Sequence, residues 1–528
     1  MNLKFVSIFP WIIGLIFLMP AIFIFSSLTL GFNDNFTHVY DYLLIKYSIN
    51  SILLVIGTCS IALILGVISA WLVVNHNFFG RNFFDWALLL PLAVPPYILA
   101  YVFTGFFDTY GTANILINRV FDLDNNSSVL PNVRNIYGAI IVFGFTLYPY
   151  VYLASRVAIQ NLSNLLFEAA RLLGKNTFQT FLFVSIPLIR PAIFAGISLV
   201  AMETLSDFGA VEHFAVPTFT TGIFRTWFGL YDLNTALQMA SILLIVIFLL
   251  TYLERASRAK VNDIIGDDLK RDNRIRFTGA KNFLAFIFCL TPILIGFIIP
   301  FFELLSWTFQ QEFSNFTKFF DAASNTLAVS LFAGLLTCLI AMLMNFIVRK
   351  DKQVILGSLN NFLSLGYAFP GLILAVAITQ IFTSLDNYFF SFFNMFLTGS
   401  IIGLIIAYVI KCYALPNNII SSTYNEISTN IDDSAKTLGA SSSKIFKSIH
   451  LPILKPTIIT GMLLVVAEVV KELPATLILR PFNFETLAVT TYIFASEERM
   501  FEAAPSAIAI VCIGMLPIYF LSKVSRKD

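Results

Sequence analysis

Charged side chains make up only 12% of this 528-residue chain, while 58% of its residues are hydrophobic. So little charge excludes an ordinary water-soluble globule, because the apolar side chains are too many to enclose in an aqueous core. Cysteine is also scarce. Cys59, Cys289, Cys338, Cys412 and Cys512 fall in apolar stretches with no C-x-x-C pair, which excludes a disulfide framework and a zinc site. The four histidines, His38, His76, His213 and His450, are scattered and do not group with carboxylates at ligand spacing. No catalytic cluster is visible, and no resident metal is assigned. A G-x-x-x-x-G-K-[ST] phosphate loop is absent as well, which argues against ATP hydrolysis by this chain.

What remains is apolar sequence in long runs. A helix needs roughly 20 residues to cross the hydrocarbon of a bilayer. Twelve segments qualify: 8–30, 49–74, 86–106, 136–155, 191–214 and 236–253, then 283–306, 326–348, 359–382, 399–415, 456–475 and 503–522. The first is expected to be an uncleaved anchor rather than a signal peptide, given its length and the lack of a small-residue cleavage site after it. Pro91, Pro95, Pro96 and Pro370 are expected to kink or break spans three and nine.

The basic residues test this count, since short cytoplasmic loops carry the Lys and Arg excess. With the N-terminus inside, most of the 33 basic residues fall on the cytoplasmic side. Arg255, Arg258, Lys260, Lys270, Arg271, Arg274, Arg276 and Lys281 cluster between spans six and seven, whereas 384–398, placed outside, has none. Sidedness accounts for the basic cluster, so no nucleic-acid partner is inferred.

Two stretches 265 residues apart repeat one spacing. Glu168-Ala169-Ala170 is followed by Gly174, Pro187 and Pro191; Asp433-Ser434-Ala435 is followed by Gly439, Pro452 and Pro456. The gaps are 6, 13 and 4 residues in both copies. Other segments repeat as well: Asn50-Ser51 resembles Asn325-Thr326, and 94–100 resembles 368–375. The offset drops from about 275 to 265, which an insertion of about nine residues in the outer loop 107–135 explains. An even number of spans separates the paired loops, so the repeats are parallel; inverted repeats need an odd number.

Within each loop, Leu162, Leu166, Ala170 and Leu173, matched by Ile427, Ile431, Ala435 and Leu438, mark one face of a short helix. A glycine turn and a second short helix are expected next, with the proline opening the following span.

These segments resemble the EAA loops of ABC importer permeases: E-A-A, three residues, Gly, nine residues, an aliphatic, one residue, an aliphatic and Pro. The first copy supplies Glu168, Ala169, Ala170, Gly174, Val184, Ile186 and Pro187; the second supplies Asp433, Ser434, Ala435, Gly439, Ile449, Leu451 and Pro452. Asp433 and Ser434 depart from the family pattern. The segments after the loops, 202–210 with 216–228 and 470–476 with 479–482, resemble the fused two-repeat permeases of ferric-iron importers.

That resemblance implies a type I importer permease fold and several partners. These are two copies of a cytosolic ATPase subunit, which uses ATP and Mg, and an extracytoplasmic iron-binding protein. The permease itself would hold no cofactor and perform no bond chemistry. Alternatives are a permease for another small solute such as thiamine, or, in a different class, an ion-coupled secondary carrier.

Charges inside the membrane bear on the cargo, because each costs at least ~2.5 kcal/mol at the bilayer centre unless paired or hydrated. Glu203, Asp207 and Glu212 fall in span five, and Glu468, Lys471 and Glu472 in span eleven; Glu203 matches Glu468 and Asp207 matches Glu472 at the 265 offset. Glu203, Asp207, Glu468, Lys471 and Glu472 are therefore candidates for the translocation path, and hard carboxylate oxygens suit transient contact with Fe(III). The competing reading pairs Glu468 with Lys471 at i, i+3 and gives the others structural or receptor-docking roles.

The expected molecule is an all-α polytopic protein of about twelve transmembrane helices in a bacterial cytoplasmic membrane, with both termini inside. A first permease repeat covers 1–255 with its loop at about 160–190, a basic linker covers 256–282, and a second repeat covers 283–528 with its loop at about 425–455.

Overall fold

The computed structural model describes residues 3–122, 129–258, 274–310, 316–351, 353–393 and 396–524. Among them, nine helices are long and apolar enough to cross a bilayer, and three bent pairs bring the number to twelve if each pair is one span. Each of the twelve expected segments overlaps one of these helices or bent pairs, and the protein is an all-α polytopic membrane protein. The middle of the basic linker, with Lys260, Lys270 and Arg271, and the run Asn125-Asn126-Ser127 with Ser128 lie outside the described residues.

Spans three and nine are not continuous. Arg81–Ala93 and Pro96–Val120 meet at 88°, and Val354–Ala368 and Gly371–Asp386 at 109°. The break follows from proline chemistry: the ring removes an amide and forces the preceding residue out of the helical region. Val94 and Pro95 accordingly stand at ψ 108° and 145°, and Phe369 at ψ 122°. Span ten bends by 47° between Ile401–Cys412 and Ala414–Glu426.

Two compact units emerge. One comprises Met1–Phe36, Thr226–Ile242 and Phe313–Tyr492; the other comprises Thr37–Arg225, Leu243–Glu312 and Ile493–Asp528. Membership does not follow the sequence halves: the first helix, Leu3–Ser26, packs with second-half helices, its Phe17 ring 5.4 Å edge-on to Tyr413. In the other unit, Ala280–Gln310 and Met500–Val524 join the first-half core, where the Gly514 and Gly296 backbones abut Ala93 and Phe145.

Small residues let these helices approach closely, as expected where lipid removes the hydrophobic drive between spans. A methyl at Gly66 would fall 2.7 Å from Val151 Cβ, and one at Gly196 2.8 Å from Val151 Cα, so Leu44–Asn75, Ile136–Gln160 and Ile186–Ser206 form one tight bundle. In the other unit, Gly461 lies against Pro416 where Leu451–Val470 crosses Ala414–Glu426.

The described end of the linker is tethered. Ile275-Arg276 pairs in parallel with His76-Asn77, Phe277 N donates to Asn77 O at 3.0 Å, and Asn282 Oδ1 accepts from Phe79 N at 2.8 Å.

Candidate functional site: the paired loops and the acidic helix ends

Both repeated loops fold alike, for reasons visible in their residues. Asn164–Leu172 and Thr429–Thr437 are nine-residue helices closed by Gly174 at φ +76° and Gly439 at φ +78°. Each closure is a Schellman turn. Gly174 N donates to Arg171 O and Lys175 N to Ala170 O; Gly439 N donates to Lys436 O and Ala440 N to Ala435 O, at 2.9 and 3.0 Å in each copy. Side-chain oxygens then start the next helix: Asn176 forms a capping box with Gln179, and Ser441 accepts from Lys444 N.

Pro187 and Pro452 stand in the first turn of the α-helices Ile186–Ser206 and Leu451–Val470, as expected, but those helices continue without a break from rods that begin at Thr177 and Ser442. A π turn precedes each proline, at Phe181–Ser185 and Phe446–His450, and moves the bonding by one residue: Ile186 N donates to Phe181 O and Leu451 N to Phe446 O. The wider turn accommodates the missing proline amide without ending the helix.

Glu168 and Ala169 are exposed and Ala170 is buried; Asp433 and Ser434 are exposed and Ala435 is half-buried. The expected apolar face is divided. Leu162 and Ile427 anchor it in the protein, whereas Leu173 (79% exposed) and Leu438 (87%) project outward at its far end. Each loop therefore presents an exposed carboxylate on a short helix and an exposed leucine in the turn that closes it. Asp433 also pairs with Lys436 at 3.0 Å.

Chemically different contacts support the two loops. Trp71 packs on Phe181 and Phe167 at 4.9 and 6.0 Å in the first copy. At the equivalent place in the second, Phe346 packs on Phe446 at 4.8 Å, but Asp432 stands where Phe167 does. Burial opposes the Asp432 charge, yet hydrogen bonds from Arg349 and His450 outweigh it and hold the carboxyl below the usual carboxylate range.

The acidic residues near the ends of spans five and eleven fall differently from expectation, because those helices stop at Ser206 and Val470. Asp207 and Glu212 thus lie beyond helix five, and Lys471 and Glu472 beyond helix eleven. Asp207 Oδ1 accepts from Ala210 N at 2.9 Å and Val211 N at 3.4 Å. Glu472 does the same at its equivalent position, accepting from Ala475 N at 3.3 Å and Thr476 N at 3.1 Å. Both carboxylates cap the short helix that follows. Glu472 is buried and also accepts from Lys411 Nζ at 3.2 Å. Lys471 pairs with Glu468 at 2.9 Å, and Glu212 with Arg225 at 3.1 Å. Glu203 is half-buried on Ile186–Ser206. Among the described residues, no three His, Cys, Asp or Glu side chains come together as a metal site.

Lys411 escaped the reading of the sequence, although an ionisable residue inside an apolar run is itself a signal. A second device was half legible in the repeated Asn-Ser and Asn-Thr pairs. Asn50 Nδ2 donates to Pro217 O and Ser51 Oγ accepts from Phe219 N; Asn325 Nδ2 donates to Glu485 O and Thr326 Oγ1 accepts from Leu487 N. In each repeat the pair fastens the loop that follows the acidic helix end.

Repeated spans, small-residue helix crossings and two matching exposed loops define a polytopic membrane protein built on an internal repeat. The chain belongs to the binding-protein-dependent transport system inner membrane component family, whose pattern matches residues 62–262 and 339–527. It is 24% identical over 523 residues, 98% of this chain and 97% of the relative, to the Fe(3+)-transport system permease protein FbpB 2 of Haemophilus influenzae. Shorter likenesses extend to the molybdenum transport system permease protein ModB of the same organism, 27% identical over 28% of this chain and 62% of that protein. The sulfate transport system permease protein CysT of Escherichia coli is 28% identical over 29% of this chain and 52% of its own length.

Proposed function

We propose that this chain is the transmembrane permease subunit of an ATP-driven, binding-protein-dependent importer that carries ferric iron across the cytoplasmic membrane. The carrying observation is the duplicated loop, with its Schellman glycines, exposed carboxylates and projecting leucines, in a chain resembling an Fe(3+) permease along nearly its whole length. Two copies of a separate cytosolic ATPase subunit dock on the two loops, hydrolyse ATP with Mg, and switch the membrane part between two states of access. An extracytoplasmic binding protein delivers the cargo, and both termini face the cytosol.

Glu203 and Glu468, at equivalent places on homologous helices, contact the cation in passage. Asp207 and Glu472 keep the adjacent short helices in register, with Lys471 moderating the charge of Glu468. Carboxylates suit a hard cation and repel an anion such as the sulfate named for one shorter relative. The deciding experiment is uptake of radioactive Fe(III) by proteoliposomes holding the permease, its ATPase and its binding protein. ATP-dependent iron uptake is expected; uptake driven by an ion gradient without the ATPase would sink the importer reading, and ATP-dependent uptake of a different solute alone would sink iron.

A further inference from the structure

One guanidinium holds the second docking loop together. Arg349, at the end of Phe316–Asp351, donates from Nε to Asp432 Oδ2 at 2.7 Å, from Nη1 to Tyr424 O and Ile427 O at 2.8 and 2.9 Å, and from Nη2 to Ser428 O at 3.1 Å. These carbonyls lie at the end of Ala414–Glu426 and in the turn leading into Thr429–Thr437, and Asp432 is in the first turn of that docking helix. Arg349 thus fixes both the position and the entry angle of the helix. His450 Nε2 meets the other carboxylate oxygen, Asp432 Oδ1, at 2.8 Å. The imidazole is buried between Phe346 and Tyr424, with ring centroids 5.6 and 5.3 Å away.

The residues that build this device are not repeated in the first half. At the repeat offsets, Val74, Phe167 and Ser185 stand where Arg349, Asp432 and His450 do, and Trp71 covers Phe167 and Phe181. An apolar contact of this kind is non-directional and tolerates small shifts. A planar guanidinium with five donors in a fixed fork tolerates few, and removing one partner leaves the other charge buried and unpaired.

We infer that Arg349, through Asp432 and His450, is the positioning residue of the second docking loop. The inference rests on the ATPase-docking reading of the loops. Neither Arg349 nor Asp432 is needed as a partner contact: their side chains are 12% and 14% exposed, and the outward carboxylate is Asp433.

The test uses the full chain reconstituted with its native ATPase subunit and binding protein. R349M and D432N are each expected to weaken ATPase association about tenfold and to raise the ATP hydrolysed per iron transported severalfold. Hydrogen exchange in 429–437 should speed up about tenfold while 164–172 is unaffected. The triple variant R349V/D432F/H450S, which installs the residues of the first copy, should recover at least half of the lost association. Thermal unfolding and the yield of monodisperse protein are followed in parallel, and D432N, nearly isosteric, serves if R349M fails to accumulate.

Association and ATP-to-iron ratio within twofold of the parent in the single variants would overturn the inference. So would a lowered unfolding midpoint with association per folded molecule unchanged, since that is a merely structural role. Failure of the unsubstituted chain to bind the ATPase would instead remove the docking reading, and the inference with it.

Discussion

Lys411 Nζ stands 3.2 Å from Glu472 Oε1, joining a lysine inside the otherwise apolar helix Ile401–Cys412 to the carboxylate that caps Pro474–Leu479. The Glu472 side chain is 2% exposed and that of Lys411 19%, so neither charge is solvated freely. Removing one partner from such a pair costs about 3 kcal/mol, because the Glu472 charge is left buried with only neutral donors against it. K411M is expected to lower the thermal unfolding midpoint of the purified protein clearly, and K411M/E472Q to recover most of the loss. A midpoint unmoved by K411M would show that the pair carries no stability.

Gly174 and Gly439 are in the left-handed region, yet nothing stands within 4 Å of a methyl built on either. A side chain there meets strain without collision, costing roughly 1–2 kcal/mol per residue. Leucine at both positions should therefore leave the spans inserted while the docking helices lose their closure, and ATPase co-purification should fall at least fivefold. Asparagine, which enters this region more readily, should retain most of it. Equal loss for leucine and asparagine would mean that glycine serves close contact with the partner and not backbone geometry.

His76 lies just past the helix Leu44–Asn75, stacked 4.2 Å from Phe277 at the tethered end of the linker. Burial pushes its imidazole down to about 4, opposed in smaller part by the Trp71 carbonyl. A folded-state value below the ordinary 6.5 means that the opened state binds the proton more readily, so stability of this junction rises with pH between about 4 and 6.5 and is complete above it. At pH 5.5 the tether should be weaker than at pH 7.5 by on the order of 1 kcal/mol. Hydrogen exchange across 274–277 measures this, and H76F should abolish the pH dependence; an unchanged dependence in H76F would assign it to another group.

The bundle of the first repeat depends on Gly66, where a methyl would fall 2.7 Å from Val151 Cβ and 2.8 Å from Tyr152 N. Overpacking of this kind typically costs about 1–3 kcal/mol, and backbone on the far side leaves little room for adjustment. G66A should depress the unfolding midpoint and G66L should reduce membrane accumulation severely. Normal accumulation of G66L would require the two helices to separate.

Charge at positions 203 and 468 can be tested apart from helix capping. E203Q/E468Q should impair iron uptake at least tenfold with the unfolding midpoint little changed. D207N/E472Q keeps acceptor oxygens at both caps while removing charge, so its effect reports electrostatics at the helix ends. Full iron uptake by the fourfold variant E203Q/D207N/E468Q/E472Q would remove all four from the path.

Much of this was legible in one dimension. Bilayer thickness imposes span length, so apolar runs revealed all twelve segments; the prolines at 95, 96 and 370 located two of the breaks because ring closure acts on neighbouring residues alone. Gly174 and Gly439 were likewise readable, since a left-handed closure is a local demand. Pro187 and Pro452 do stand at the start of their α-helices, but the π turn that joins each helix to the segment before it has no sequence signal, and only the backbone course shows it. The ends of spans five and eleven were overrun for a similar reason, as Asp207 and Glu472 cap new helices without any change in apolar character around them.

The sequence by itself determined membrane embedding, the duplication and the two glycine-closed loops, because solvent, spacing and local backbone conformation act through neighbours along the chain. Tertiary structure alone decided which helices share a compact unit, that Lys411 answers Glu472, and that Arg349 reaches Asp432 across 83 residues. Those choices depend on close approach and on the cost of an unpaired buried charge, and neither has a value until distant segments are packed side by side.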